Sequence, residues 1–156
     1  MATFKFNPKV DLDRADITDA AIGAAAAAGW GTNDIGKLVK LEAASTDHNY
    51  VAVADGNAIE GFIISVEPFT VNSGFAFGSV QRNGRVVVKN VAAGTTLAVG
   101  DYVAAATQAT AIGTAGKSQV KVVTGAALEA LNFKWRVISL MAGTGLAGEE
   151  VLIERV

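Results

Sequence analysis

The chain has 156 residues, of which 51% are hydrophobic and only 18% are charged, and its formal net charge is −2. This length suffices for one domain with its own core, and so small a negative charge provides no positive field for nucleic-acid phosphates, so nucleic-acid binding is not expected. Because the sequence contains no cysteine, disulfides and thiolate metal sites are excluded, and stability must come from packing or from contacts between subunits.

The first residues do not resemble a secretion signal, because Pro8 and charged residues stand where an apolar segment would be needed. Residues 21–28 form an alanine-rich run that is too short and too weakly apolar to span a bilayer, which takes about 20 apolar residues. We therefore expect a protein that is made in the cytoplasm and does not contact a membrane.

Residues 2–13 are predicted to form an extended arm, because Phe4 and Phe6 alternate with polar residues and Pro8 prevents a helix from starting earlier. Such an arm is either a frayed terminus, an ordinary edge strand, or a strand that adds to a neighbouring subunit. In the last case backbone hydrogen bonds would hold the arm and the two phenylalanine rings would anchor it.

Residues 13–28 are predicted to form a helix, since an Asp or Thr cap precedes the alanine run and Gly29 can end it in the left-handed conformation. Gly23 weakens this prediction, and a flexible connector is the alternative. Trp30 follows in a predicted loop, where it is either a contact for another subunit or a core residue.

From residue 36 onward the pattern changes to short apolar segments separated by turns, which is typical of all-β sandwiches and barrels. The strongest segment is 85–91, where β-branched residues alternate with charges after an Asn83-Gly84 turn that is predicted to open a hairpin. A short helix is predicted over 124–131. The predicted strands cover residues 37–41, 50–54, 59–66, 75–81, 85–91, 102–107, 119–123, 133–141 and 150–155.

These segments divide the chain into residues 1–35, an N-terminal arm followed by a helix or linker, and residues 36–156, a β domain. The predicted fold is mainly β, with at most one or two short helices besides the arm.

Catalytic residues are sparse. His48 is the only histidine, so a metal site built from several histidines is excluded, and a nucleophile would depend on this one base. Asp47 could orient His48 in a small barrel enzyme, but neighbours in a polar loop are typically solvated. Glu149 and Glu150 are adjacent on a predicted strand and should point to opposite faces, which does not suit a glycosidase pair. We expect a protein that is not an enzyme.

Residues 143–148 match the pattern GxGxxG after a predicted strand. A dinucleotide site needs a helix directly after this loop, whereas residues 149–154 alternate like a strand. The segment is therefore interpreted as a hairpin loop, and no cofactor is expected.

Four aromatic residues could form a stacking surface for sugars if they shared one face of the sheet. Aromatic residues at strand spacing more often belong to a core or an interface, and nothing in the sequence places these on one surface. They are Trp30, Tyr50, Tyr102 and Trp135.

The order of turn-and-strand segments resembles that of the capsid decoration, or cement, proteins of tailed bacteriophages. The similar segments are residues 36–41, 57–62, 83–88, 97–103 and 147–153. The resemblance implies a compact antiparallel β-barrel or β-tulip-like domain that binds the outside of an assembled head, commonly as trimers, and reinforces it against internal pressure. It implies no catalytic site.

We therefore expect a structural virion protein on the outer surface of a phage capsid, where it bridges major capsid subunits and forms a homotrimer. The expected contact residues are Phe4, Phe6 and Trp30. The alternative function is a ligand- or glycan-binding β-module of a tail or adhesin, in which the aromatic residues would form the binding surface.

Overall fold

Ten β-strands and one short helix make up the described part of the chain. The computed structural model describes residues 17–22, 31, 34–43, 50–66, 76–90, 95–106 and 119–156, with backbone alone for 17–22, 76–77 and 89–90. The mainly β prediction is confirmed. None of the helices in these ranges has the length and apolar character needed to cross a membrane.

The strands form two five-stranded sheets, one from each half of the chain. The first sheet has the order β1-β3-β2-β4-β5 and the second the order β10-β6-β8-β7-β9. The helix, α1, spans Gly125–Glu129. The first-sheet strands are β1 (Ile17–Ile22), β2 (Leu38–Leu41), β3 (Tyr50–Ala52), β4 (Gly61–Val66) and β5 (Ala76–Gln81). The second-sheet strands are β6 (Arg85–Asn90), β7 (Tyr102–Ala105), β8 (Gln119–Val122), β9 (Trp135–Leu140) and β10 (Glu150–Arg155).

Most strand pairs are antiparallel, and the outermost strands of each order also pair with each other, β1 with β5 and β10 with β9. Each sheet contains one short parallel contact. In the first sheet, β1 meets β3 through the single register pair Ile22–Tyr50. In the second sheet, β6 meets β8 through two register pairs. Each sheet could close on itself only through these short parallel contacts. Closure into a barrel or a tulip-like shape therefore stays a prediction.

The helix predicted over residues 13–28 is wrong where the structure describes it. Residues 17–22 form β1, which pairs with β5 over six register positions. Long-range pairing with a formed strand can override the weak local preference of an alanine-rich segment. The predicted boundary between residues 1–35 and 36–156 therefore falls within the first sheet, because β1 lies before it and β2 to β5 lie after it. The predicted arm and Trp30 lie outside the described residues.

The turn at Asn83-Gly84 is present, and Gly84 has the positive φ of 76° that favours glycine. The hairpin predicted there is wrong. The turn joins β5 to β6, and these strands belong to different sheets. This turn is therefore the connection, here called the crossing, between the sheet of the first half of the chain and the sheet of the second. The backbone N–H of Arg155 donates a hydrogen bond to the Gly84 carbonyl at 3.1 Å, which ties the crossing to the end of β10.

One hydrophobic core connects the two sheets. Leu38 and Phe62 from the first sheet pack in the same buried cluster as Val88, Trp135 and Ile153 from the second. A smaller cluster that includes Val39, Ile63 and Val80 belongs to the first sheet alone. A third joins the region of α1 to β7 through Leu131 and Ala104. The shared cluster holds the two sheets together as one block.

Candidate functional site

The structure describes only part of the site that the sequence predicts. Phe4, Phe6, Trp30, Asp47 and His48 lie outside the described residues, so the predicted arm contacts and the Asp47–His48 pair stay predictions. Among the described residues, no group of histidine, cysteine, aspartate and glutamate side chains is placed to hold a metal ion.

Two of the four candidate stacking aromatics are core residues. Trp135 is fully buried and Tyr50 is 2% exposed, and they lie in different clusters. Burial raises the pKa of the Tyr50 hydroxyl, and the charge of Arg82 partly opposes that rise. Tyr102 is half-buried beside α1. A sugar-stacking surface therefore cannot include Tyr50 or Trp135.

The GxGxxG segment forms the loop of the β9–β10 hairpin, as predicted, and the strands on either side of it pair antiparallel. Gly145 has a φ of 65° and lies so close to the segment before β7 that an added Cβ would sit 1.9 Å from the Leu97 carbonyl oxygen. The Leu97 N–H donates a 2.8 Å hydrogen bond to the Gly145 carbonyl. The loop is thus fixed against its neighbour by a backbone contact that only glycine permits.

The Glu149 carboxylate stabilises the same loop from the surface. It accepts a hydrogen bond from the Thr144 hydroxyl and another from the Leu146 N–H at 3.2 Å. The Thr144 hydrogen bond, helped by backbone N–H groups, holds the pKa of Glu149 below its ordinary value of 4.5. Glu149 is therefore a loop-forming residue, and Glu150, which begins β10, is exposed beside it.

Acid should open this loop. Because the folded-state pKa of Glu149 is depressed, the charged form stabilises the loop above pH 4.5, and that contribution is lost as the pH falls through the lower folded value. We expect the Leu146 amide resonance in an NMR titration to move with a midpoint below 4.5. Glu149→Gln should abolish the transition. A midpoint at or above the ordinary value would contradict the assigned hydrogen bonds.

Three exposed apolar side chains lie on this loop and on the segment hydrogen-bonded to it. Val99 is 62% exposed, Met141 56% and Leu146 52%. The Gly100 N–H donates to the Val137 carbonyl at 2.8 Å, so the segment that carries Val99 runs alongside β9. We call residues 97–101 together with 141–150 the tip. Its exposed apolar side chains are held on a backbone framework joined by hydrogen bonds, the arrangement expected of a contact surface.

A cleft of about 550 Å³ lies between the end of β2, the segment before β4 and the segment that joins α1 to β9. Its two charged lining residues are Lys40 and Glu60, two others are asparagines, and the remaining seven are alanine, leucine, phenylalanine or glycine. The lining residues are Lys40, Leu41, Gly56, Asn57, Ala58, Glu60, Ala127, Ala130, Leu131, Asn132 and Phe133.

The Glu60 carboxylate is already engaged, whereas the Lys40 ammonium is not. Glu60 accepts hydrogen bonds from the Leu41 N–H at 2.7 Å and from Arg82 Nη2 at 3.0 Å. The Lys40 side chain has no hydrogen bond or ion pair within the part of the chain that the structure describes. Among the described residues, its ammonium group thus stands unpaired at the wall of the cleft.

Two arginines stand behind the cleft wall. The Arg155 guanidinium donates to the Arg82 carbonyl and lies 4.3 Å from the centre of the Phe133 ring, which itself lines the cleft. Burial and the nearby positive charge of Arg82 lower the pKa of Arg155. Arg82 Nε is buried with no hydrogen-bond partner among the described atoms. Arg82 is therefore paired with Glu60, and the positive charges of Arg82 and Arg155 lie close together behind the wall of the cleft.

Sequence reasoning missed this cluster, because its members are far apart in the chain and match no motif. It also missed the apolar character of the tip, since strand alternation says nothing about loop side chains. The glycines of residues 143–148 were the one sequence signal for a tightly held loop at this position. Comparison of the chain with models of known protein families, with curated proteins and with solved structures finds no match.

Proposed function

We propose that the protein is a structural component of a phage particle that binds the outer surface of the head and stabilises the capsid by bridging major capsid subunits. The observation that carries this proposal is the tip, where Val99, Met141 and Leu146 present apolar surface to solvent, the kind of surface through which a subunit of an assembly contacts its neighbours. A protein that works by contact needs such a surface and needs no cleft lined by reactive groups.

Repetition makes modest contacts effective in this role. On a symmetric lattice each contact recurs with every subunit, and linked contacts raise one another's effective concentration. The shared core around Trp135 makes the two sheets one unit, so a load applied at one end of the block is carried to the other. The low share of charged residues, 18%, also suits a surface that is covered in an assembly.

Binding to expanded empty heads tests the proposal directly. The purified chain should co-sediment with heads of the phage whose virions contain it, and mass spectrometry of intact virions would identify that phage. Deleting residues 1–13 should weaken binding, because two phenylalanine anchors are lost, each worth about 1.5–3 kcal/mol when fully buried. Each anchor would thus correspond to about tenfold or more in affinity.

The unfolding midpoint of the deleted chain is the control, since β1 begins only at Ile17. The midpoint should stay within a few degrees of that of the full chain. A large fall would show that the arm belongs to its own subunit's fold. Failure of the full chain to bind any head or to appear in virions would contradict the proposed function.

A further inference from the structure

The β9–β10 hairpin has two ends of different chemistry. Phe133 and Arg155 lie at the end that borders the cleft, whereas Met141, Leu146 and Glu150 lie at the tip. Six residues of β9 separate the two ends, a rise of about 20 Å. One copy therefore cannot place its own tip in its own cleft.

The cleft end offers apolar wall residues and the ammonium group of Lys40. The Lys40 side chain has no ion pair or hydrogen bond within the described ranges, whereas the Arg82 guanidinium is paired with Glu60. A matching group would carry a carboxylate next to exposed apolar side chains. Phe133 would be one wall of the site that receives them.

The tip has that composition. Val99, Met141 and Leu146 are more than half exposed, and Glu150 is exposed with no partner among the described side chains. Glu149 and Asp101 add two further carboxylates, both engaged with backbone N–H groups of the tip. Lys89, in register with Glu150, is the basic residue that strand pairing places at this end. The described charges of the tip thus remain negative overall.

We propose that the tip of one copy docks into the cleft of the next copy, head to tail. Val99, Met141 and Leu146 would contact the apolar wall residues, and Glu150 would pair with Lys40 of the neighbour. Such a contact is heterologous, and it gives a closed ring if the rotation between copies closes. This inference rests on the proposed function in treating the protein as an assembly unit. It assigns the tip to the contact between copies within the assembly, and the predicted arm of residues 2–13 stays the expected contact with the capsid.

Sedimentation of the full chain without capsids tests the contact. We expect concentration-dependent self-association, and Val99→Ser should weaken it about tenfold, which corresponds to the loss of one well-buried aliphatic contact. Val87→Ser is the matched control, because Val87 is also exposed, at 46%, but lies on β6 in register with Leu152, outside the tip. Equal effects of the two substitutions, or a chain that stays monomeric up to about 1 mM, would overturn the proposal.

A charge exchange tests the specific pair. Lys40→Glu and Glu150→Lys should each weaken self-association about tenfold, and the double variant should recover most of the loss. Since Lys89 lies in register with Glu150, the unfolding midpoint of each variant is measured to confirm an intact fold. A double variant that associates no better than the single ones would contradict the pairing of Lys40 with Glu150.

Mixing experiments test the head-to-tail geometry. Leu146→Asp leaves a chain with an intact cleft, and Lys40→Glu leaves one with an intact tip. Each variant alone should be monomeric at a concentration where their equimolar mixture forms dimers and nothing larger. The reason is that a mixed pair can form only one intact contact, between the tip of the Lys40→Glu chain and the cleft of the Leu146→Asp chain. Larger assemblies, or no dimer, would contradict a heterologous contact.

Capsid binding is a separate readout. A chain that self-associates as described but does not bind heads would support this inference and contradict the proposed function. A monomeric chain that binds heads would support the proposed function and contradict this inference.

Discussion

Replacing Trp135 by alanine is expected to lower the free energy of unfolding by about 3–5 kcal/mol, the usual cost of removing a large buried aromatic side chain. The ring is fully buried and meets Phe62 edge to face, with 4.9 Å between ring centroids and an interplanar angle of 84°. Its Nε1–H donates a buried hydrogen bond to the Ile59 carbonyl at 3.0 Å. These contacts join the second sheet to β4 and to the segment that leads into it, so their loss should weaken the packing between the two sheets.

Denaturant unfolding followed by far-UV circular dichroism measures this loss without relying on tryptophan fluorescence. Trp135→Phe is the matched variant, because it keeps much of the packing but leaves the Ile59 carbonyl without its donor, at a cost of about 1–3 kcal/mol. Phe62→Leu combined with Trp135→Ala forms a cycle whose coupling should reach about 0.5–1.5 kcal/mol. A loss under about 1 kcal/mol for the alanine variant would contradict a core shared by the sheets.

The strands from residue 36 onward could be predicted because each is short, apolar and bounded by a turn. All nine predicted segments contain an observed strand, with ends that differ by up to two residues. The short helix predicted over 124–131 is observed as α1. Period-two alternation and turn residues are local signals, and they suffice to locate strands of this kind.

Pairing between strands could not be predicted in the same way. Nothing local distinguishes an Asn83-Gly84 turn within a hairpin from one that crosses between sheets, because the difference lies in the partners that β5 and β6 find elsewhere. Likewise β1 is formed by its long pairing with β5, against the helix preference of its alanines. Closure into a barrel depends only on which strands pair, so it stays a prediction for the same reason.

The candidate site was predictable only where glycine marked it. The loop of residues 143–148 was correctly interpreted as a hairpin loop, since a strand follows it. The cluster of Lys40, Glu60, Arg82 and Arg155 assembles from separate strands and turns, and single charges at strand ends are usually solvated. The capsid function, the trimer and the contacts of Phe4, Phe6 and Trp30 stay proposals.

Replacing Gly145 by alanine should disorder the tip and lower the free energy of unfolding by about 2–5 kcal/mol. The left-handed backbone, with a φ of 65°, accounts for about 1–2 kcal/mol. The rest comes from the Leu97 carbonyl oxygen, which would lie 1.9 Å from the new Cβ. To make room, the buried hydrogen bond from Leu97 to Gly145 must break, at about 1–3 kcal/mol.

Gly148→Ala separates the cost of the left-handed backbone from the cost of the close contact with Leu97. Gly148 has a similarly positive φ of 85°, but nothing lies within 4 Å of its added Cβ, so this variant should lose only the backbone term of about 1–2 kcal/mol. Hydrogen exchange at the Leu97 amide should accelerate strongly in Gly145→Ala and little in Gly148→Ala. Because the contact surface of the tip depends on that hydrogen bond, self-association should be lost with the first substitution and kept with the second. Equal losses in both variants would mean that the close approach of Gly145 to Leu97 contributes nothing to the tip.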